Sequence, residues 1–235
     1  MKAALFKSLQ AARSAKTPVA LVTALGDGAQ ALVYPDRVDG ELPEPMVEEA
    51  RRRLRDNAGG VAEHGDVRYF VDCHNPPLRI IVVGAVHISQ TLVPMAAIAG
   101  YEVIIVDPRA SFATSERFPN VRLVDDWPDE AMQALAPDGR TAVVTLTHDP
   151  KLDDPALEVA LRSDAFYIAC LGSRRTHARR LDRLRALGFD DATLARIHGP
   201  AGLPIGAVSP AEIALSILAE LTAVLHEAPA VAKAA

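Results

Sequence analysis

The segment RIIVV (79–83) is a near-continuous apolar run that stops at Gly84. A run without the alternation of a half-wetted strand is what a parallel strand covered on both faces requires. A helical pattern follows to Ala99 and closes on Gly100, and a second run of the same kind, EVIIV (102–106), stops at Asp107. VRLV (121–124), TAVVTL (141–146) and FYIACL (166–171) continue the series, with helices between or after them. Strands alternating with helices of this length predict an α/β fold, a Rossmann-like doubly wound parallel sheet. One helix is expected to open at Asp154-Pro155 with Leu157, Ala160 and Leu161 inward. Another follows Gly172 with Ala178, Leu181, Leu184 and Leu187 inward. The last opens on the capping-box pattern Ser209-Pro210-Ala211-Glu212 and carries Ile213, Ile217, Leu221 and Val224 as its apolar stripe.

The N-terminal third reads differently, as a smaller α+β unit. Leu5, Phe6 and Leu9 lie at helical spacing in residues 2–14. VALVTAL (19–25) and QALVY (30–34) flank Gly26-Asp27-Gly28, the pattern of a β-hairpin. A helix at 44–56 presents Met46, Val47, Ala50 and Leu54 and ends at Asn57-Ala58-Gly59-Gly60, and VRYFVD (67–72) is a strand. Asn75-Pro76-Pro77 is a stiff break. The expected division is an α+β domain at 1–77, a Rossmann-like domain at 78–227 and a disordered Ala/Pro-rich tail at 228–235.

Composition narrows the partners. The chain of 235 residues is 49% hydrophobic and 23% charged, with a net charge of −5. An acidic balance argues against nucleic acid or an anionic membrane as the main partner. No apolar run approaches the roughly 20 residues that span a bilayer, and Lys7, Arg13 and Lys16 interrupt any signal-peptide core. The two cysteines, Cys73 and Cys170, make no disulfide framework. A soluble, cytoplasmic protein is expected.

The residues that carry chemistry gather at strand ends. Gly84 turns the first strand into a helix, where free N–H groups and the helix dipole favour an anion. Asp107, about twenty residues on, stands where an acid meets a ribose hydroxyl, and Arg109 where a cation meets a 2′-phosphate. The glycine motif is incomplete: Gly84, Ala85, Val86 and His87 place a branched side chain where a second glycine lets a pyrophosphate approach. Pro94 inside the following helix removes a further N–H. A second turn, Leu171-Gly172-Ser173-Arg174-Arg175, also leads from strand to helix. Cations in a first helical turn oppose the dipole, so Arg174 and Arg175 point to an anion, whereas Arg179, Arg180 and Arg183 read as a solvated basic face. His87 and His148 end strand loops that line one crevice, where each serves a ligand, an acid–base step or a loop backbone group. No HxxxH or HExxH spacing marks a metal site, and nothing marks a nucleophile elbow or a Walker loop.

Several of these segments together resemble the XdhC/CoxI family, the xanthine dehydrogenase accessory factors. They are NPPLRIIVVGAVHISQTLVPMA (75–96), VDPRASFATSERFP (106–119), VVTLTHDPKLDDPAL (143–157), YIACLGSRRTHARRL (167–181) and ARIHGPAGLPIGAVSPAEIALSILAEL (195–221). The resemblance implies a Rossmann-type domain and a role in maturing molybdenum hydroxylases. It implies a molybdenum cofactor (molybdopterin) carried as cargo, an apo-hydroxylase as partner, a cysteine desulfurase as a further partner, and a homodimer. Two departures stand out. Many members have a GxGH turn where this chain has Gly84-Ala85-Val86-His87, and a Gly-Gly-Cys-Glu-like stretch of longer members has no counterpart in residues 1–74. A shortened variant is therefore expected. An NAD(P)-dependent oxidoreductase using His87 or His148 and a nucleotide-sensing domain remain as alternatives, although no Tyr-xxx-Lys-type pair accompanies the turns.

Overall fold

The structure is a computed structural model and describes residues 3–226. The tail expected at 228–235 lies outside the described residues. The chain divides into two compact units, Met1–Pro76 and Pro77–Ala235.

The first unit contains α1 (Ala3–Ser14), β1 (Val19–Ala24), β2 (Gln30–Val33), β3 (Val38–Asp39), α2 (Glu44–Asp56), β4 (Gly60–His64) and β5 (Val67–His74). Its strands form one antiparallel sheet in the order β3-β2-β1-β5-β4. The expected hairpin is β1–β2, paired from Ala20↔Val33 to Thr23↔Gln30. Side chains alternate across a strand, so Ala20, Val22 and Val71 meet Met46, Val47, Ala50 and Leu54 of α2 on one face. Val19 and Leu32 meet Leu9 and Ala12 of α1 in a second cluster. Phe6 does not join that cluster and is exposed. Asn57 ends α2 in the left-handed region at φ 51°, as a C-cap residue with a short polar side chain can.

The second unit contains β6 (Arg79–Val83), α3 (His87–Ile98), β7 (Glu102–Val106), β8 (Arg122–Val124), α4 (Pro128–Leu135), β9 (Thr141–Thr145), α5 (Pro150–Leu161), β10 (Tyr167–Cys170), α6 (Arg174–Ala186), α7 (Asp191–Leu194), β11 (Ile197–His198) and α8 (Pro210–Leu225). Its sheet is parallel throughout, in the order β11-β10-β9-β6-β7-β8. The chain winds outward from β6 through β7 to β8, then crosses back to β9 and continues to β11. The reversal between β6 and β9 is the topological switch point of a Rossmann fold.

The apolar run of β6 has its cause in this layering. Ile80 and Val82 face Leu92 and Ala96 of α3 and Ile217 and Leu221 of α8. Ile81 and Val83 face Met132 of α4, Leu157 and Leu161 of α5 and Leu184 of α6. Each buried aliphatic side chain contributes about 1.5–3 kcal/mol. Arg79, at the start of the run, is buried too. It donates to the carbonyls of Leu135 and Ala136 that α4 leaves unpaired at its end and pairs with Asp138 at 3.2 Å.

Three expectations are corrected. Helix α5 opens at Asp149-Pro150, well before Asp154-Pro155, because the Asp149 side chain accepts from Lys151 N at 3.0 Å and caps the earlier pair. Pro155 thus lies inside the helix, while Leu157, Ala160 and Leu161 face inward as expected. In α6, Leu184 is buried, but Ala178 and Leu187 are exposed and Arg180 is buried in their stead. Arg180 is therefore not part of a solvated basic face. Strands β3, β4 and β11 are additions that two-residue lengths or a polar edge composition conceal.

Candidate ligand site at the switch point

Gly84 ends β6 at φ 116°, and a Cβ there would stand 2.8 Å from Thr147 Cγ2 on the loop after β9. Both the backbone angle and the neighbouring loop therefore demand glycine. The next peptide is held from both sides. Ala85 N–H donates to Asp107 Oδ2 at 2.8 Å, and Ala85 O accepts from Arg117 Nη1 at 2.9 Å. Val86 is the N-cap of α3 in an extended conformation, and its N–H donates to Ser89 Oγ at 3.3 Å. Ser89 Oγ in turn donates to Gly84 O. His87 opens the helix and is exposed.

Asp107 is fully buried at the end of β7. Its Oδ1 accepts from Arg109 N at 3.0 Å and Arg109 Nε at 2.8 Å, and its Oδ2 also accepts from Arg109 Nη2 at 2.8 Å. Burial pushes this carboxyl up. The Arg109 side chain, followed by the backbone N–H groups of Ala85 and Arg109, outweighs burial and holds it below the ordinary range. Arg109 then lies over the Phe112 ring, 4.4 Å from its centroid. The expected acid is thus in place, but its oxygens are engaged by the chain itself.

The loop after β9 carries Thr147, His148 and Asp149. His148 is exposed and sits in the left-handed region at φ 62°. Beneath it, Asp153 accepts from Thr147 Oγ1 at 2.6 Å and lies 3.3 Å from Arg180 Nη2. Arg180 also donates to Leu171 O at 3.1 Å and to Cys170 Sγ at 2.9 Å. Burial raises the Asp153 carboxyl, with Thr147 and Arg180 opposing it, and pushes the Cys170 thiol up to about 11.

The turn after β10 follows the same plan as the first. Gly172 has φ 143°, and Ser173 caps α6 by accepting from Thr176 N at 3.2 Å. Arg174 and Arg175 form its exposed first turn. The His177 ring packs on Gly199 and lies 3.6 Å from Cys170 Sγ.

Hydrogen bonds thus join Gly84, Ala85, Val86, Asp107 and Arg109 into one cluster around the β6 turn. Gly172, Ser173, Arg174 and Arg175 stand at the second turn, linked to the β9 loop through Arg180 and Asp153. Arg117, Thr147 and Asp153 are members that sequence reasoning did not single out, and Arg180 is one that it assigned to a solvated face. Among the described residues no three His, Cys, Asp or Glu side chains gather as a metal site, and no helix is long and apolar enough to cross a membrane.

Residues 80–221 match the XdhC Rossmann domain. The chain belongs to the XdhC family. Three curated relatives come from bacteria. An Escherichia coli (strain K12) uncharacterized protein, YqeB, is 30% identical over 76% of this chain and 33% of its own length. The Escherichia coli molybdenum cofactor insertion chaperone PaoD is 32% identical over 65% of this chain and 42% of its own. A probable xanthine dehydrogenase subunit from Bacillus subtilis (strain 168) is 31% identical over 65% of this chain and 44% of its own. The chain therefore spans less than half the length of each of these relatives. Among solved structures, a xanthine dehydrogenase from Bacillus halodurans matches with a TM-score of 0.68 at 23% identity, over 94% of this chain and 66% of that one. That likeness bears on the fold, and the Rossmann-type parallel sheet agrees with it.

Proposed function

We propose that this XdhC-family protein is an accessory factor of molybdenum hydroxylase maturation, which holds molybdenum cofactor and delivers it to an apo-hydroxylase. The observation that carries the reading is the pair of glycine-led turns at Gly84 and Gly172. Both leave the carboxyl ends of parallel strands and open helices, α3 and α6, whose first-turn N–H groups favour an anion. The cofactor ends in a phosphate, and Ser173, Arg174 and Arg175 add polar and cationic groups at the second turn. The relative named as a molybdenum cofactor insertion chaperone supports the same role. In this reading His87 and His148 contact the cargo, and a cysteine desulfurase and a second copy of this chain are the further partners.

An NAD(P)-dependent oxidoreductase is less well supported. Val86 stands where the pyrophosphate of a dinucleotide approaches, and Asp107 is already saturated.

The experiment is deletion of the gene in its host. The client hydroxylase is then made in normal amount with intact iron–sulfur and flavin centres, but its molybdenum centre is empty or unsulfurated and it is inactive. A fully active client in the deletion strain contradicts the proposal.

A further inference from the structure

The carboxylate of Asp107 presents two oxygens at the end of β7, the place from which a Rossmann fold grips a nucleoside ribose. Here the seat is filled from within. Arg109 reaches back two residues and lays Nε against Oδ1 and Nη2 against Oδ2, each at 2.8 Å. A planar guanidinium offers two parallel N–H donors to a carboxylate, in the place where a ribose offers two adjacent O–H donors. Ala85 N and Arg109 N complete the set of donors on the two oxygens. Asp107 has no exposed surface, whereas the Arg109 side chain is 36% exposed, so the guanidinium is interposed between the carboxylate and solvent. The Phe112 ring, its centroid 4.4 Å from the guanidinium carbon, covers a face of the guanidinium.

We propose that Arg109 is a specificity-determining residue: it occupies the ribose seat on Asp107 and so bars nucleosides from this crevice. The excluded class is ribose-bearing nucleotides, including nicotinamide dinucleotides. A ligand that presents a phosphate without a ribose diol needs nothing from Asp107 and is not penalised. A cell holds nucleotides in large excess over a scarce cargo, and a crevice at a Rossmann switch point would otherwise collect them. The guanidinium excludes them by leaving Asp107 no acceptor to spare, since admitting a diol breaks a bidentate ion pair and replaces its cationic donors with uncharged hydroxyls. This inference concerns what the site refuses and stands whether or not the cargo is molybdenum cofactor.

The test separates the ribose seat from the pyrophosphate approach by working in a Val86→Gly background, which removes the branched side chain at the turn. ADP is titrated by calorimetry into V86G and into V86G/R109M, with 2′-deoxy-ADP as the comparator. Met keeps an unbranched aliphatic side chain at this position and removes the donors. Should V86G/R109M fail to fold, as judged by circular dichroism, V86G/R109Q serves the same comparison. The expected result is that loss of the guanidinium tightens ADP binding about tenfold to a hundredfold, that 2′-deoxy-ADP gains far less, and that adding Asp107→Asn cancels the gain. Equal ADP affinity with and without Arg109, whether tight or undetectable in both, overturns the proposal. So does a gain that 2′-deoxy-ADP shares in full.

Discussion

Arg180 and Asp153 meet at 3.3 Å with 2% and 1% of their side chains exposed, directly beneath the loops that follow β9 and β10. Asp153 holds Thr147 of the first loop, and Arg180 holds Leu171 O of the second and Cys170 Sγ at the end of β10. The pair therefore ties the two glycine-led turns to each other through the interior, because Thr147 is also the residue that packs on Gly84.

Breaking that tie from one side is expected to be costly. Arg180→Met strands a buried carboxylate and lowers stability by about 3–5 kcal/mol, measured by urea unfolding. The double variant R180M/D153L recovers part of the loss, since an apolar pair needs no desolvation but leaves Thr147 and Leu171 O without these partners. A single variant that unfolds at the parent's urea midpoint refutes the coupling.

Gly84→Ala places a methyl against Thr147 at a φ of 116°. The backbone term alone costs about 1–3 kcal/mol. Thr147→Ser in the same chain relieves the contact with Cγ2 but not the strain, so thermal unfolding shows only partial recovery.

The Asp107 carboxyl is held below its ordinary value of 3.8 in the folded chain. A depressed folded value means that its contribution to stability is complete above the unfolded value and disappears as pH falls through the folded one. Asp107→Asn is therefore less stable than the parent at pH 7, and the gap narrows as pH drops below the ordinary carboxylate range. Denaturant midpoints of both proteins across the acid range check this, and a gap that widens toward acid contradicts it.

Cys73 is half-buried and Cys170 fully buried, and both thiols are free. Burial pushes Cys170 up to about 11 from an ordinary 9.0, which leaves roughly a hundredfold less thiolate at pH 8. In native protein a thiol reagent at pH 8 is expected to modify Cys73 first and Cys170 only on unfolding, when two groups titrate. Modification of native Cys170 at the rate of an exposed thiol sinks the assignment.

The parallel sheet was legible because RIIVV, EVIIV and TAVVT are buried on both faces, and a strand covered twice cannot hide its composition. β4 was not, because a polar edge strand with Ala62 alone facing inward looks like a loop. At the site, glycine punctuation located Gly84 and Gly172, since positive φ has few other solutions. Charge was harder to read. Helical spacing puts Arg180 and Leu184 on one face as readily as Ala178 and Leu181. What selects the former is Asp153, some 27 residues earlier, a partner that no local pattern announces. The same holds for Arg117, whose acceptor Ala85 is 32 residues away.

The proposed role requires the chain to hold molybdenum cofactor through its two glycine-led turns. Native mass spectrometry of protein purified from a host that makes the cofactor tests it most directly, beside the variant R174A/R175A. Exposed charges contribute little to stability, so both proteins are expected to fold alike. The proposed role predicts a bound mass equal to the pterin cofactor on the parent, lost or sharply reduced in the variant, with restoration of client activity in the deletion strain falling in step. A parent that carries no such mass, or a variant that retains it in full and restores the client completely, contradicts it.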